Sequence, residues 1–320
     1  MKSIHEIPQE LLNELFNSNI IPHIQLVQND QYDEHYSDTE KQKIEEIASS
    51  LRAVIGIDIY RYSRYPIEKQ MFIPHLFDLI YEETWHLIKQ NYVFLFQEYG
   101  TLKDFIKDKF INHKEQFIST GDGGFQIFPT PIHAIIFVLT FATIVRLYNS
   151  DLFMRKMFAR IGNIELRYAL TWDEIYKYRN NYYGSALINN SRILAKDRLN
   201  RFLIDQNTYN WFLRSTIGIE NLMTIGLSDL KEINELSGYD QSKIDQVNNA
   251  LIKGNRPIVD KEGIKSIDVE KIGSIIQKGT SLEVHNLHIQ AIIHYRSFFD
   301  QEKLITVSVG NLNTAGIGDE

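Results

Sequence analysis

The sequence predicts an α+β fold, a ferredoxin-like sandwich, on three observations. Short β-branched runs alternate with long apolar or amphipathic helical segments. A tight glycine-rich hairpin follows the first strand and its helix. The order strand, long helix, hairpin, helix, two strands, helix and further strands suits a sheet with helices packed on it. Around this core two additions are expected: an N-terminal helical extension over residues 1–50 and a C-terminal helical insertion at about 220–275. The main domain is expected over 51–320, insertion included.

Each element has its own reason. Residues 8–17 (PQELLNELFN) have the spacing of a short amphipathic helix. The acidic stretch 29–40 reads as a loop, with Ser37 or Asp38 capping a helix that has Glu40 in its first turn. Residues 52–59 (RAVIGIDI) are a β-branched run ending on an aspartate, the pattern of a buried strand with a polar tip. From 67 to 97 apolar residues recur at helical spacing, and Pro74 marks a helix start or a kink. A short helix is expected over 102–110. Residues 116–120 and 125–128 flank GDGG, which reads as a hairpin. Pro129 and Pro131 precede a long apolar helix to about 149. Residues 164–171 and 173–177 read as two strands, and a helix opens after Tyr183-Gly184 and runs to about 197. A strand at 201–204, a helix at 206–213 and a long strand at 281–295 come next, the last paired with 304–309. The glycine-rich tail from 311 is expected to be loose.

Bulk properties exclude several classes. A hydrophobic share of 43% suits a packed core and excludes a disordered chain. The net charge of −7 gives no basic face for coating nucleic acid. With no cysteine there is no disulfide and no thiolate metal site. The N-terminal stretch has no signal-peptide pattern. The apolar run 134–145 is too short to span a bilayer and reads as a core helix. No membrane association is expected, and the location expected is cytoplasmic.

Two aspartates carry the chemistry. Asp58 ends a hydrophobic strand and Asp122 sits at the tip of a hairpin. If those strands are neighbours, the carboxylates converge at one end of the sheet. Paired carboxylates suit two divalent ions that stabilise the attacking and leaving oxygens of an in-line displacement. Gly121, Gly123 and Gly124 would let the backbone approach a phosphate. Alone, a strand-end aspartate is most often a helix cap and GDG most often a plain turn. Together, in this element order, they are much more specific. His133, His285 and His288 have no metal-ligand spacing. Arg61 and Arg64 read as solvated surface.

GIDIYRYS, STGDGGFQIF and LRYALTWDEIYKYRNNYYGSALINNSRIL resemble the motifs of class III nucleotidyl cyclases, over about residues 53–209 with a weaker match at 277–295. More narrowly, DIYRYS, GDGG and YYGSALI resemble the bacterial pyrimidine cyclases of the Pycsar antiphage system. The resemblance implies a class III cyclase catalytic domain. It implies two metal ions per site, Mg²⁺ or Mn²⁺, held by Asp58, Asp122 and the carbonyl of Ile59. Arg192, eight residues after Gly184, matches the arginine that neutralises the transferring phosphoryl group. Lys278 matches a lysine that grips the triphosphate. Family members act as dimers with shared sites, so a homodimer is implied.

The sequence departs from the family at three positions. The slot of the ribose-orienting asparagine is Ile188. Either Asn189 takes the role by a one-residue shift, or the role is absent. The two adenine-selecting positions are Ile118 and Asn181. Loss of both partners argues against ATP, because base selection rests on hydrogen bonds whose absence leaves buried groups unpaired. Tyr62 fills the slot beside the base, where it would narrow a pyrimidine pocket or be a core aromatic. The expected activity is conversion of a pyrimidine nucleoside triphosphate, UTP first and CTP second, to the 3′,5′-cyclic monophosphate plus pyrophosphate, as a second messenger in antiphage defence. Two other readings stay open: an adenylate or guanylate cyclase with an altered pocket, and a silent cyclase-like nucleotide-binding regulator.

Overall fold

The computed structural model describes residues 50–91, 97–98, 109–110, 113–150, 154–178, 181–215, 263–277, 279–296 and 302–317. The expected helices within residues 1–49, most of the expected insertion at 220–275, and Lys278 lie outside the described residues. The chain divides into two compact units. One combines residues 1–50 with 174–184, and the other combines 51–173 with 185–320.

The elements of the larger unit begin with strand β1 (Ser50–Ile59) and a 3₁₀ turn at Tyr62–Arg64. Helices α1 (Ile67–Gln70) and α2 (Ile73–Asn91) come next, then the short strands β2 (Gln97–Glu98) and β3 (Lys109–Phe110). After them lie β4 (Phe117–Ser119), β5 (Gly123–Phe128), α3 (Pro131–Asn149) and α4 (Arg155–Ile161). β6 (Leu166–Tyr178) leads into the smaller unit, where β7 (Asn181–Tyr183) pairs back on its end. The larger unit resumes with α5 (Ser185–Lys196), β8 (Phe202–Asp205), α6 (Gln206–Ser215), β9 (Gly263–Gln277), β10 (Thr280–Arg296) and β11 (Glu302–Val309). The fold is α+β, as expected. The main sheet runs β11-β10-β8-β6-β1-β5-β4, with β9 paired to β10.

Period-2 alternation assigns the two faces of this sheet. Ile55, Ile57 and Ile59 of β1, Tyr168 and Leu170 of β6, and Phe202 and Ile204 of β8 join the large core that holds α2 and α3. Ala169 and Leu203, one residue out of phase, join a second core with Ile193 and Leu194 of α5. By the same alternation Gly56 and Asp58 of β1 and Arg167 of β6 lie on the α5 face. Each large apolar side chain buried in these cores contributes about 1.5–3 kcal/mol.

Helix α3 is apolar all round and long enough, by length and composition, to cross a membrane. It is longer than the run 134–145 suggests. Its most apolar window is 94% buried inside the protein, so it is a core helix.

Four expectations need correction. Lys109–Phe110 is a strand paired with Gln97–Glu98, not part of a helix. The two strands expected at 164–171 and 173–177 are one, β6, over Leu166–Tyr178. Residues 263–275, expected as the end of a helical insertion, belong to β9, which pairs along β10. Lys271 and Glu283, exposed and bridged at 2.7 Å, show why the polar composition misleads: they lie on the solvated face of that ribbon. The tail over residues 311–317 is docked. The Arg201 guanidinium donates to the carbonyls of Asn313 and Ala315, and Ile317 is buried in the second core.

Candidate active site

Asp58 and Asp122 are brought together by strand register. β1 and β5 are antiparallel, with Ile57 opposite Gly124 and Asp58 opposite Gly123. The hairpin turn is stitched to β1, because the Ile59 amide donates to the Asp122 carbonyl at 3.2 Å. The glycines make this approach possible. A Cβ on Gly123 would sit 2.0 Å from the Ile57 carbonyl oxygen. Gly121 has φ +99°, a conformation that other residues adopt only under strain, and its amide donates to Ser119 Oγ at 3.3 Å.

The carboxyl groups of Asp58 and Asp122 are near enough for the charge of one to act on the other. Burial pushes the Asp58 carboxyl above the usual carboxylate range, and the charge of Asp122 adds to the rise. Arg167 works against both. Its Nε and Nη2 both donate to Asp58 Oδ2, and its Nη1 donates to the Asp197 carbonyl. The Asp58 side chain keeps 16% exposure and that of Arg167 23%, so the group is open to a ligand from solvent.

This site fits a divalent cation. Two acidic oxygen ligands converge, the carbonyl of Ile59 is next in sequence, and a guanidinium stands on Asp58 as a stand-in positive charge. Among the described residues no group of three or more His, Asp or Glu could hold a metal. A cation here would therefore take its remaining ligands from substrate and water, as Mg²⁺ commonly does. His133 is instead hydrogen-bonded through Nδ1 to Thr130 Oγ1 at 2.8 Å, and His285 stacks on Tyr209 at 4.4 Å.

Helix α5 packs on the same face. Asn190, fully buried, donates through Nδ2 to the carbonyls of Val54 and Ala169, both at 2.8 Å. Its Oδ1 occupies the space left by Gly56, where a Cβ would sit 2.1 Å away. Asn189 and Arg192, three residues apart, share a helix face, and Ile188 beside them is 53% exposed. Arg192 Nη1 donates to Thr280 Oγ1 at 3.2 Å, at the turn between β9 and β10. Among the described residues no hydrogen bond joins Arg192 to Asp58 or Asp122. Tyr62 packs partly against the main core, with its hydroxyl 3.5 Å from the Gln70 carbonyl. Ile118 is half-buried on β4 opposite Phe125. Asn181 is exposed on β7, in the smaller unit. Arg61 is exposed, adopts a left-handed conformation (φ 59°) and stacks over the Tyr60 ring.

Arg167 is the residue that sequence reading misses. The strand alternation that places Ala169 on the α5 face also places Arg167 there, but its partner lies 109 residues away. Only the β6-β1 neighbourhood of the sheet makes the pair visible.

No family model matches the chain, and no curated protein matches it. Among solved structures it is similar to an adenylate/guanylate cyclase/hydrolase from Silicibacter pomeroyi, with 13% identity, 75% of this chain and 96% of that chain covered, and a TM-score of 0.35. It is similar to the adenylyl cyclase CyaB from P. aeruginosa, with 12% identity, coverage of 75% and 94%, and a TM-score of 0.37. It is also similar to the guanylate cyclase domain of RhGC from Catenaria anguillulae in complex with GTP, with 13% identity, coverage of 75% and 96%, and a TM-score of 0.38. At these values the functional reading rests on the site's own geometry.

Proposed function

We propose that the chain is a class III-type nucleotidyl cyclase that closes a pyrimidine nucleoside triphosphate into its 3′,5′-cyclic monophosphate and releases pyrophosphate. UTP is the first candidate substrate and CTP the second, and the product would serve as a second messenger in antiphage defence. The observation that carries the reading is the convergence of the Asp58 and Asp122 carboxyls at adjacent strand ends. Asp58 is paired with Arg167 on a partly open sheet end.

In this reading Asp58, Asp122 and the Ile59 carbonyl hold two Mg²⁺ or Mn²⁺ ions. When bound, the ions supply Lewis-acid activation of the ribose 3′ hydroxyl and charge neutralisation on the triphosphate. The two aspartates fix the position of the reacting end of the substrate, which removes much of the entropic cost of in-line attack. Arg192, permanently charged and planar, stabilises charge on the transferring phosphoryl group. Asn189, on the same face of α5, orients the ribose. Lys278 grips the triphosphate, Gly121 lets the turn approach it, and Tyr62 and Asn181 contact the base.

Arg192 contacts the β9-β10 turn of its own chain. A site completed by Arg192 of a second copy, in a C2 homodimer, fits that placement. Incubating the purified protein with each of the four ribonucleoside triphosphates and Mn²⁺, then identifying products by mass spectrometry, tests the reading. The expected product is cyclic UMP or cyclic CMP. A product from ATP alone would contradict the pyrimidine assignment, and no product from any of the four would contradict the cyclase assignment.

A further inference from the structure

We propose that Arg167 is a resident counter-ion of Asp58 which a divalent cation must displace, so that it holds the cation site closed. The proposal rests on the cyclase reading above and adds a control on cation entry. Two N–H donors of one guanidinium converge on the single oxygen Asp58 Oδ2. A cation bound to that oxygen at ~2–2.5 Å leaves no room for both donors and repels the guanidinium. The competition is therefore for the same atom.

Arg167 is not a loose surface side chain. Its Nη1 is tied to the Asp197 carbonyl. Asp197 is itself held by Arg201, whose Nε and Nη2 donate to its Oδ1 at 3.0 and 2.9 Å in a fully buried pair. This anchor does two things. It keeps the guanidinium aimed at Asp58, and it gives Arg167 a second partner to keep when Asp58 is taken. A triphosphate would bring negative charge that offsets the repulsion between guanidinium and cation. Cation and nucleotide would then each strengthen the binding of the other, as linkage requires.

Titrating the full chain with Mn²⁺ alone, and following free Mn²⁺ by electron paramagnetic resonance, tests this without reference to turnover. Arg167→Ala should bind Mn²⁺ tighter than the unaltered chain by ~10-fold or more. Arg167→Lys keeps the charge but loses the two-donor grip, and should fall between the two. Equal or weaker Mn²⁺ binding by Arg167→Ala would overturn the proposal. If circular dichroism shows that Arg167→Ala is unfolded, Arg167→Lys carries the test, and unchanged affinity in that variant would overturn it. Adding Asp58→Asn to the Arg167 variant should abolish the gained affinity. Retention of Mn²⁺ there would show that the cation does not sit on Asp58, and the site assignment itself would fail.

Discussion

Two strands of the main sheet carry aspartates at their ends in similar apolar settings, and the two side chains do different work. Asp58 is the last residue but one of β1, in RAVIGIDI, and Asp205 is the last residue of β8, in FLID. Asp58 keeps some exposure, faces a second carboxyl and is gripped by Arg167. Asp205 is 1% exposed, and its Oδ1 accepts from the Thr208 amide at 2.9 Å at the start of α6. The same oxygen accepts from the Trp172 amide at 3.4 Å. It is a helix cap. The difference lies in the chain just past each strand. After Asp205 the chain turns at once into a helix whose orphan amides the carboxylate satisfies. After Asp58, among the described residues, no helix amide donates to the carboxylate, and the opposing hairpin places Asp122 near it. A strand-end aspartate left without a cap to form, and given a second carboxyl as neighbour, is arranged to bind a cation.

The largest effect that separates the two ends is on turnover. Asp58→Ala and Asp122→Ala should each lower the cyclase rate by ~10³-fold or more, since a lost metal ligand removes several kcal/mol of transition-state stabilisation. Both variants should keep the native circular dichroism spectrum. Asp205→Asn should leave the rate within a few-fold. Normal turnover in either of the first two would break the comparison.

Stability against pH comes next. Burial pushes the Asp205 carboxyl up to about 7, well above the ordinary value of 3.8, despite the hydrogen bonds from Thr208 that pull it down. The folded chain therefore holds this proton more tightly than the unfolded chain does. The protonated acid is tolerated below about pH 4, and stability falls as pH rises from there to about 7, where the full cost is reached. Asp205→Asn keeps the accepting oxygen and has no proton to lose. Its melting temperature should exceed that of the unaltered chain at pH 8, by an effect on the order of 2–4 kcal/mol, and the gap should close toward pH 4. A gap independent of pH would show that Asp205 is not the titrating group.

Gly56 probes the frame behind the candidate site at smaller cost. Gly56→Ala places a Cβ 2.1 Å from Asn190 Oδ1, so α5 must shift or Asn190 must turn. The expected loss is about 1–3 kcal/mol in denaturant unfolding, with reduced turnover because Asp58 lies two residues on along the same face. The smallest effect concerns the tail. Ile317→Ala should loosen residues 311–317 and cost about 1 kcal/mol, read as faster amide exchange at Ile317, whose amide donates to the Ile272 carbonyl at 3.3 Å.

Local pattern makes the carboxylate end of the site legible in the sequence. β1 announces itself by a β-branched run with Asp58 near its end, and the GDGG turn by glycines that a positive φ at Gly121 and close strand approach at Gly123 and Gly124 require. Both are short-range signals, and register alone then joins them. The features that stay hidden depend on partners far away along the chain. Arg167 looks like one polar residue in an alternating strand until Asp58 is placed across from it. β9 reads as helical because its outward face is polar, while Ile267, Ile272 and Ile275 face inward against the two cores. The tail reads as loose because small and polar residues dominate it. It is held by Arg201, by the Asn286 side chain donating to the Asn311 carbonyl at 2.7 Å, and by the buried Ile317.

The central claim is that Asp58 and Asp122 together hold the catalytic cation. A crystal structure of the protein with Mn²⁺ and a 3′-deoxy analogue of UTP, which cannot cyclise, addresses it most directly. The account predicts anomalous density for Mn²⁺ within ~2–2.5 Å of carboxylate oxygens of both Asp58 and Asp122, with the analogue's phosphates completing the shell. Mn²⁺ bound elsewhere, or at this sheet end with neither carboxylate as a ligand, would contradict it.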